Sequence, residues 1–330
     1  MKNTYNILSI DGGGIRGLYA AAVIHQIERN LGPIHTGFDM VCGTSTGGLI
    51  ALGLITGMSA KDLRKFYFDR GAKIFPRKTQ FARLLGHIKQ LLGNGYSSET
   101  LKKEIEEVFG TEAVMADALI EGLIPSYNIS KGQPIVFKSP HEAADYCRDG
   151  SIPIVDIAMA TASAPTYFRN HTIDHDNLPN TNCTDGGVWC NNPALAGLLE
   201  ARTHFVGEGK AYDHVNIISV STAPKPSGRQ FKGGGLLNWK GDIVGAAITG
   251  QSHFTHRFLT NLHETPSSDV TYHRINPENL SIEQQKLLEM DLASTPALEQ
   301  LERLGTHDGQ HFVAQHRGIL TSIYQSSITT

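Results

Sequence analysis

FDMVCGTSTGGLIALGLIT (residues 38–56) opens with a short apolar run, turns through a glycine-flanked serine, and continues into small and aliphatic residues. The pattern predicts a strand, a tight turn, and a helix buried against a sheet. Gly43-Thr44-Ser45-Thr46-Gly47 is a GxSxG sequence, and the strand-to-helix setting is the one a nucleophile elbow needs. Gly43 and Gly47 let the backbone turn sharply and keep space around Ser45. The serine then sits at a helix amino terminus, where free N–H groups and the helix dipole favour developing negative charge. In a chain with 34 glycines a GxSxG by itself is often only a turn. Its placement between strand and helix is what points to chemistry.

The same unit precedes it. YNILSI (residues 5–10) is a β-rich run that ends at Asp11 and three glycines, and LYAAAVIHQIERNLG (18–32) carries helix formers up to Gly32. Two strand–turn–helix units in succession predict an α/β fold of three layers: a largely parallel central sheet, helices on both faces, and functional residues at the strands' carboxyl ends. From 59 to 118 the pattern becomes helical and more charged, with candidate helix caps at Ser98 and Thr100, and reads as a helical cap or insertion. Strand patterns return at 134–139 and 215–221, residues 156–165 and 192–201 read as helices beside the sheet, and helical segments are expected around 240–262 and 281–304. No repeat, low-complexity linker or composition break divides the chain, so residues 1–330 read as one domain.

Composition excludes several classes. A formal net charge of -3 with 18% charged residues gives no electrostatic footprint for a nucleic-acid polymer. No apolar stretch is long enough to span a bilayer, and the amino-terminal apolar run is broken by Asp11 too early for a secretory signal. Cys42, Cys147, Cys183 and Cys190 show neither a CxxC pair nor regular spacing, so neither a zinc site nor a disulfide framework is expected. The expectation is a reduced, cytoplasmic protein whose membrane contact is local.

A serine hydroxyl needs a base within hydrogen-bond reach. None of the 15 histidines lies in a strand-end motif matched to the GxSxG. Asp185, in TDGGVWCNNP (184–193), is followed by two glycines and a helix pattern, which makes a direct Ser45–Asp185 dyad the better hypothesis, beside the simpler reading of an Asp-Gly turn. Gly12, Gly14 and Gly17 also satisfy the GxGxxG of dinucleotide binders. That rival needs an acidic residue at the end of a second strand, whereas Asp39 lies at a strand's beginning, and Asp11 would face a pyrophosphate with the wrong charge. The amides of the glycine turn can instead line an oxyanion hole, with Arg16 fixing the loop or attracting a phosphate head group.

DGGGIRG, GTSTGG and DGG, in this order, resemble the patatin-like phospholipases, and the resemblance continues through ASAPTYF (162–168), NNPALAGLLEA (191–201), TYHRINP (271–277) and MDLASTPALEQL (290–301). It implies that Gly12, Gly13 and Gly14 supply the oxyanion hole, that Ser45 attacks, and that Asp185 takes its proton and later activates water. It implies a lipid acyl hydrolase acting on membrane glycerophospholipids, with no metal and no cofactor, and leaves a homo-oligomer open. Bacterial members of this length also resemble antiphage effectors switched on by a cyclic nucleotide. One departure stands out: where many members carry a Gly-Thr-Gly turn after the strand near 215–220, this chain reads Ser221-Thr222-Ala223-Pro224.

Residues 77–92 alternate basic and apolar positions at helical spacing (Arg77, Lys78, Arg83 and Lys89 against Phe81, Leu84, Leu85, Ile88, Leu91 and Leu92), as in an interfacial helix or an ordinary amphipathic one. His253, His256 and His263 on one expected helix, and His171, Asp174, His175 and Asp176 in an expected loop, read as hydrogen-bonded or solvated residues rather than metal ligands. Two functions outside lipid hydrolysis stay in view: a dinucleotide-binding oxidoreductase, and a non-catalytic storage or interaction protein on the same fold.

Overall fold

The computed structural model describes residues 3–76, 95–141, 148–224 and 242–326. The segment 77–92, Cys147 and Gly233–Gly235 fall outside them. In chain order the elements are β1 (Thr4–Ile10), α1 (Gly17–Leu31), β2 (Met40–Gly43), α2 (Thr46–Ile55), α3 (Ala60–Ile74), α4 (Ser98–Phe109), β3 (Glu121–Asn128) and β4 (Gln133–Lys138). They continue as α5 (Ile154–Ala162), β5 (His171–His175), β6 (Leu178–Asp185), α6 (Gly187–Cys190), α7 (Ala194–His204), β7 (His214–Val220), α8 (Asp242–Glu264), β8 (Val270–Ile275), α9 (Ile282–Lys286), α10 (Thr295–Gln315) and α11 (Arg317–Ser326).

The described strands form one eight-stranded sheet in the order β5-β6-β3-β2-β1-β7-β8, with β4 on β3. β3-β2-β1-β7-β8 are parallel neighbours, while β4 and β6 run antiparallel to β3 and β5 antiparallel to β6. Side chains alternate between the faces, as a strand's period of two requires. Leu8 and Ile10 enter one core with α1, α2 and α5, whereas Tyr5 and Ile7 enter a second core with Ala194, Leu198 and Ala201 of α7. Both faces are covered, which is the expected three-layer α/β arrangement.

Local signals placed most helices well. Ser59 caps α3 by accepting from the Asp62 amide at 3.1 Å. α4 is capped one residue earlier than expected, by Ser97 accepting from Thr100 N–H at 3.1 Å, so Ser98 and Thr100 lie inside the helix. The helical segments expected around 281–304 are α9 and the longer α10, separated by residues that reach the glycine loop after β1. His171–His175 is strand β5 rather than a loop, so successive side chains point to opposite faces and cannot converge on one ion.

Candidate active site

Strand β2 ends at Gly43, and Ser45 caps α2 with φ 55° and ψ −123°. A non-glycine residue held there costs on the order of 1–3 kcal/mol and persists only where its surroundings enforce it. Here they do. A Cβ on Gly43 would stand 2.0 Å from the Gly47 carbonyl oxygen, and one on Gly47 would stand 2.3 Å from that of Ile10, so strand and helix approach to backbone contact. The Ser45 amide donates to Thr161 Oγ1 at 3.0 Å, and that hydroxyl donates to the Pro125 carbonyl at 2.6 Å. Thr161→Val keeps the shape but strands both groups in the interior. It should destabilise the protein by about 2–4 kcal/mol in urea unfolding, and a loss under 1 kcal/mol would mean that water replaces the hydroxyl.

The sheet itself brings Asp185 to Ser45. Leu123 of β3 pairs both Cys42 of β2 and Lys138 of β4, while Ser126 pairs both Asp185 of β6 and Ile135 of β4. Strands β2 and β6 therefore share one edge of β3, and because β6 is antiparallel their carboxyl ends converge. The three residues from Leu123 to Ser126 span roughly 10 Å, the gap that Gly43, Thr44 and Ser45 cross.

Asp185 is 4% exposed, accepts from the Gly187 amide at 2.6 Å, and has its carboxyl within the electrostatic influence of the Ser45 side chain. Burial raises its pKa to about 6, against the opposing pull of these two groups. A carboxyl poised there is a far better base near neutral pH than one of ordinary acidity.

The glycine loop lies against the elbow: a Cβ on Gly12 would be 3.2 Å from Ser45 Cβ. Its amides are not equivalent. Gly12 N–H donates to the Asn191 carbonyl at 3.0 Å and Ile15 N–H to that of Met290 at 2.9 Å, whereas the Gly13 and Gly14 amides find no acceptor among the described residues. The Gly12 amide is thus committed within the protein, whereas among these residues those of Gly13 and Gly14 are not. Gly14 has φ 60°, the left-handed region in which glycine is favoured.

Arg16 is buried, its Nε donates to the Gly13 carbonyl at 3.2 Å, and burial lowers its pKa to about 10. Of the two expected roles, this contact is the loop-fixing one. Asp11 is held by the Arg274 guanidinium, which also donates to Ser219 Oγ at 2.6 Å. The departure at 221–224 also bears on the loop, since Thr222 Oγ1 donates to the Gly12 carbonyl at 2.7 Å and Ala223, at φ 50°, holds a conformation usual for glycine.

Ser45 opens onto an apolar pocket walled by Leu49, Phe66, Phe75, Leu101, Phe168 and Met290. Helices α3 and α4, from the segment expected to form a cap, supply Phe66 and Leu101, and Phe75 directly follows α3. A wide polar depression lined by Arg64, Glu302 and Arg303 includes none of the residues around Ser45. Elsewhere, His171 pairs with Asp156 at 2.8 Å, His256 with the Tyr272 hydroxyl at 3.2 Å, and His263 with the Val270 carbonyl at 3.4 Å. Thr161, Asn191, Thr222, Met290 and Arg274 were not identified as site residues from the sequence. All but Arg274, Met290 and Asn191 also lie outside any motif read for chemistry or resemblance, save that Thr222 stands in the noted departure.

A mixed, largely parallel sheet between helical layers, with a serine on the turn after a central strand, defines an α/β fold of the hydrolase kind. The chain belongs to the patatin-like phospholipase family, whose model matches residues 8–198, and with it to the hydrolases of lipid esters. It is 33% identical over 328 residues to a cGAMP-activated phospholipase of Vibrio cholerae, covering 92% of this chain and 90% of that protein. It is 30% identical to Patatin-like protein 1 of Arabidopsis thaliana, covering 91% and 80%. A cGAMP-activated phospholipase of Escherichia coli is 38% identical over 207 residues, an alignment spanning 60% of this chain and 56% of that relative.

Proposed function

We propose that the protein hydrolyses acyl esters of membrane glycerophospholipids through a Ser45–Asp185 dyad. The observation that carries the reading is a serine in strained elbow geometry, beside a buried carboxyl of raised pKa that senses its hydroxyl, at the wall of an apolar pocket. The acyl chain occupies the pocket and presents its ester carbonyl to Ser45. Asp185 takes the hydroxyl proton as Oγ attacks, and the oxyanion is met by the Gly13 and Gly14 amides and the amino terminus of α2. Collapse expels the lysophospholipid alkoxide, which receives the proton from Asp185. Asp185 then deprotonates water, whose oxygen attacks the acyl-enzyme carbonyl, and returns that proton to the departing Ser45 Oγ as the free fatty acid is released.

The base works ionised, so kcat/KM for a soluble ester should rise as pH passes through about 6 and level off above it. Fatty-acid release from phosphatidylethanolamine/phosphatidylglycerol vesicles, with fluorophosphonate labelling mapped by mass spectrometry, tests the assignment. Label confined to Ser45 is expected; release without it would move the nucleophile, and neither release nor label would favour the storage reading. The relatives named for cGAMP activation match this chain along most of its length, which supports a cyclic dinucleotide as activator. The same assay should therefore run faster with cGAMP. Such a switch is also what an antiphage effector directed at its host's membrane requires. Among the described residues no helix is long and apolar enough to cross a membrane, and the proposal places the enzyme at the membrane surface.

A further inference from the structure

Glu200 and His204 stand one turn apart on α7, and His141 follows strand β4, 59 residues before Glu200. Their donors converge: His141 Nε2 is 3.3 Å and His204 Nε2 3.7 Å from Glu200 Oε1, and all three ligand atoms lie within 4.8 Å of one another. Four-coordinate zinc, with ligands at about 2.0–2.1 Å, separates its donor atoms by roughly 3.3 Å. Two of the three separations are already near that value. The third closes by a rotation of His204, whose side chain is 21% exposed.

The surroundings favour a cation. Lys138 Nζ binds the other oxygen of Glu200 at 2.7 Å, which turns Oε1 toward the two imidazoles as an outer partner orients a metal-bound carboxylate. Glu121, held by Ser139 Oγ at 2.7 Å, interacts electrostatically with both His141 and Glu200.

We propose that His141, Glu200 and His204 bind a divalent cation, zinc by their donor set, which clamps α7 to the β3–β4 hairpin. Solvent at His204 supplies the fourth ligand. Glu121 pairs with Met40 at the start of β2, whereas Ser45 follows that strand's far end, so the clamp sits at the opposite end of the strands from the nucleophile. Its role is structural. Without the ion, the same residues form a hydrogen-bonded ion-pair network, and the test separates the two states.

The full chain, stripped with EDTA and dialysed, is titrated with cobalt(II) and then zinc. Binding should give the intense visible absorption of four-coordinate cobalt, displaced by zinc, and zinc should raise Tm by several degrees. Both effects should vanish in His204→Ala, with the circular dichroism spectrum and fluorophosphonate labelling of Ser45 unchanged. His204→Gln provides the same comparison should the alanine variant fold poorly. A weak six-coordinate aquo spectrum, no Tm shift in the wild type, or effects that persist in both variants would overturn the proposal.

Discussion

Ser45→Ala and Asp185→Asn are each expected to lower ester hydrolysis by roughly 10³–10⁵-fold, and the double variant should be scarcely worse than either single one, because nucleophile and base act as a unit. The two replacements should part company in stability. Burial raises the Asp185 pKa from 3.8 to about 6, so the folded state holds its proton more tightly than the unfolded chain does. The ionised group costs nothing below the unfolded value, costs progressively more as pH rises from about 4 to 6, and reaches a plateau of about 2–3 kcal/mol above that. Asparagine keeps an acceptor for the Gly187 amide and carries no charge. Asp185→Asn should therefore be more stable than wild type at pH 8 by up to that amount and gain little near pH 3.5. Near wild-type turnover in Asp185→Asn on a soluble ester would remove the base assignment. An unchanged stability difference across the pH range would instead show that water reaches the carboxylate.

Gly43→Ala should cost more than about 4 kcal/mol, enough to unfold most of the protein. The added methyl would lie 2.0 Å from the Gly47 carbonyl oxygen, 2.5 Å from its carbon and 2.7 Å from Ala51 Cβ. Two of those atoms are backbone, which cannot rotate aside, so β2 and α2 would have to separate. Gly250→Ala is the matched control. It lies within α8 with nothing within 4 Å of the new methyl, and should gain about 0.5–1 kcal/mol from helix propensity. Denaturant unfolding compares the two, and a Gly43→Ala protein of near wild-type stability would show that the elbow is looser than its contacts imply.

Legibility differed from strand to strand. β1, β2 and β7 are apolar and buried on both faces, so composition betrayed them. β3 was not recognised, because Pro125 interrupts EGLIPSYN and proline argues against a central strand. The structure supplies the reason it is tolerated: on the edge shared by β2 and β6, Pro125 falls between the ladder to β2, which ends at Leu123, and the ladder to β6, which begins at Ser126, so no strand on that edge calls for the N–H that proline lacks. β5 and β6 form a polar edge hairpin and β8 mixes Tyr, His and Arg with its apolar residues, so neither alternation nor a continuous apolar run marked them.

The sequence alone determined what depends on neighbours along the chain: two strand–turn–helix units, a serine at a helix amino terminus, a glycine turn after the first strand, and an aspartate followed by two glycines and a helix pattern. These follow from backbone preferences and hydrophobic spacing over a dozen residues, and both are local. The tertiary structure decided what depends on partners far away in the chain. It set β6 on the same edge of β3 as β2, so that Asp185 comes beside Ser45, and it gave the Gly12 amide to Asn191 while leaving those of Gly13 and Gly14 without an acceptor among the described residues. It also gathered His141, Glu200 and His204, which no spacing foretold. Hydrogen bonds and charges act over a few ångströms in space, and only the packing of the sheet and its helices fixes which residues come that close.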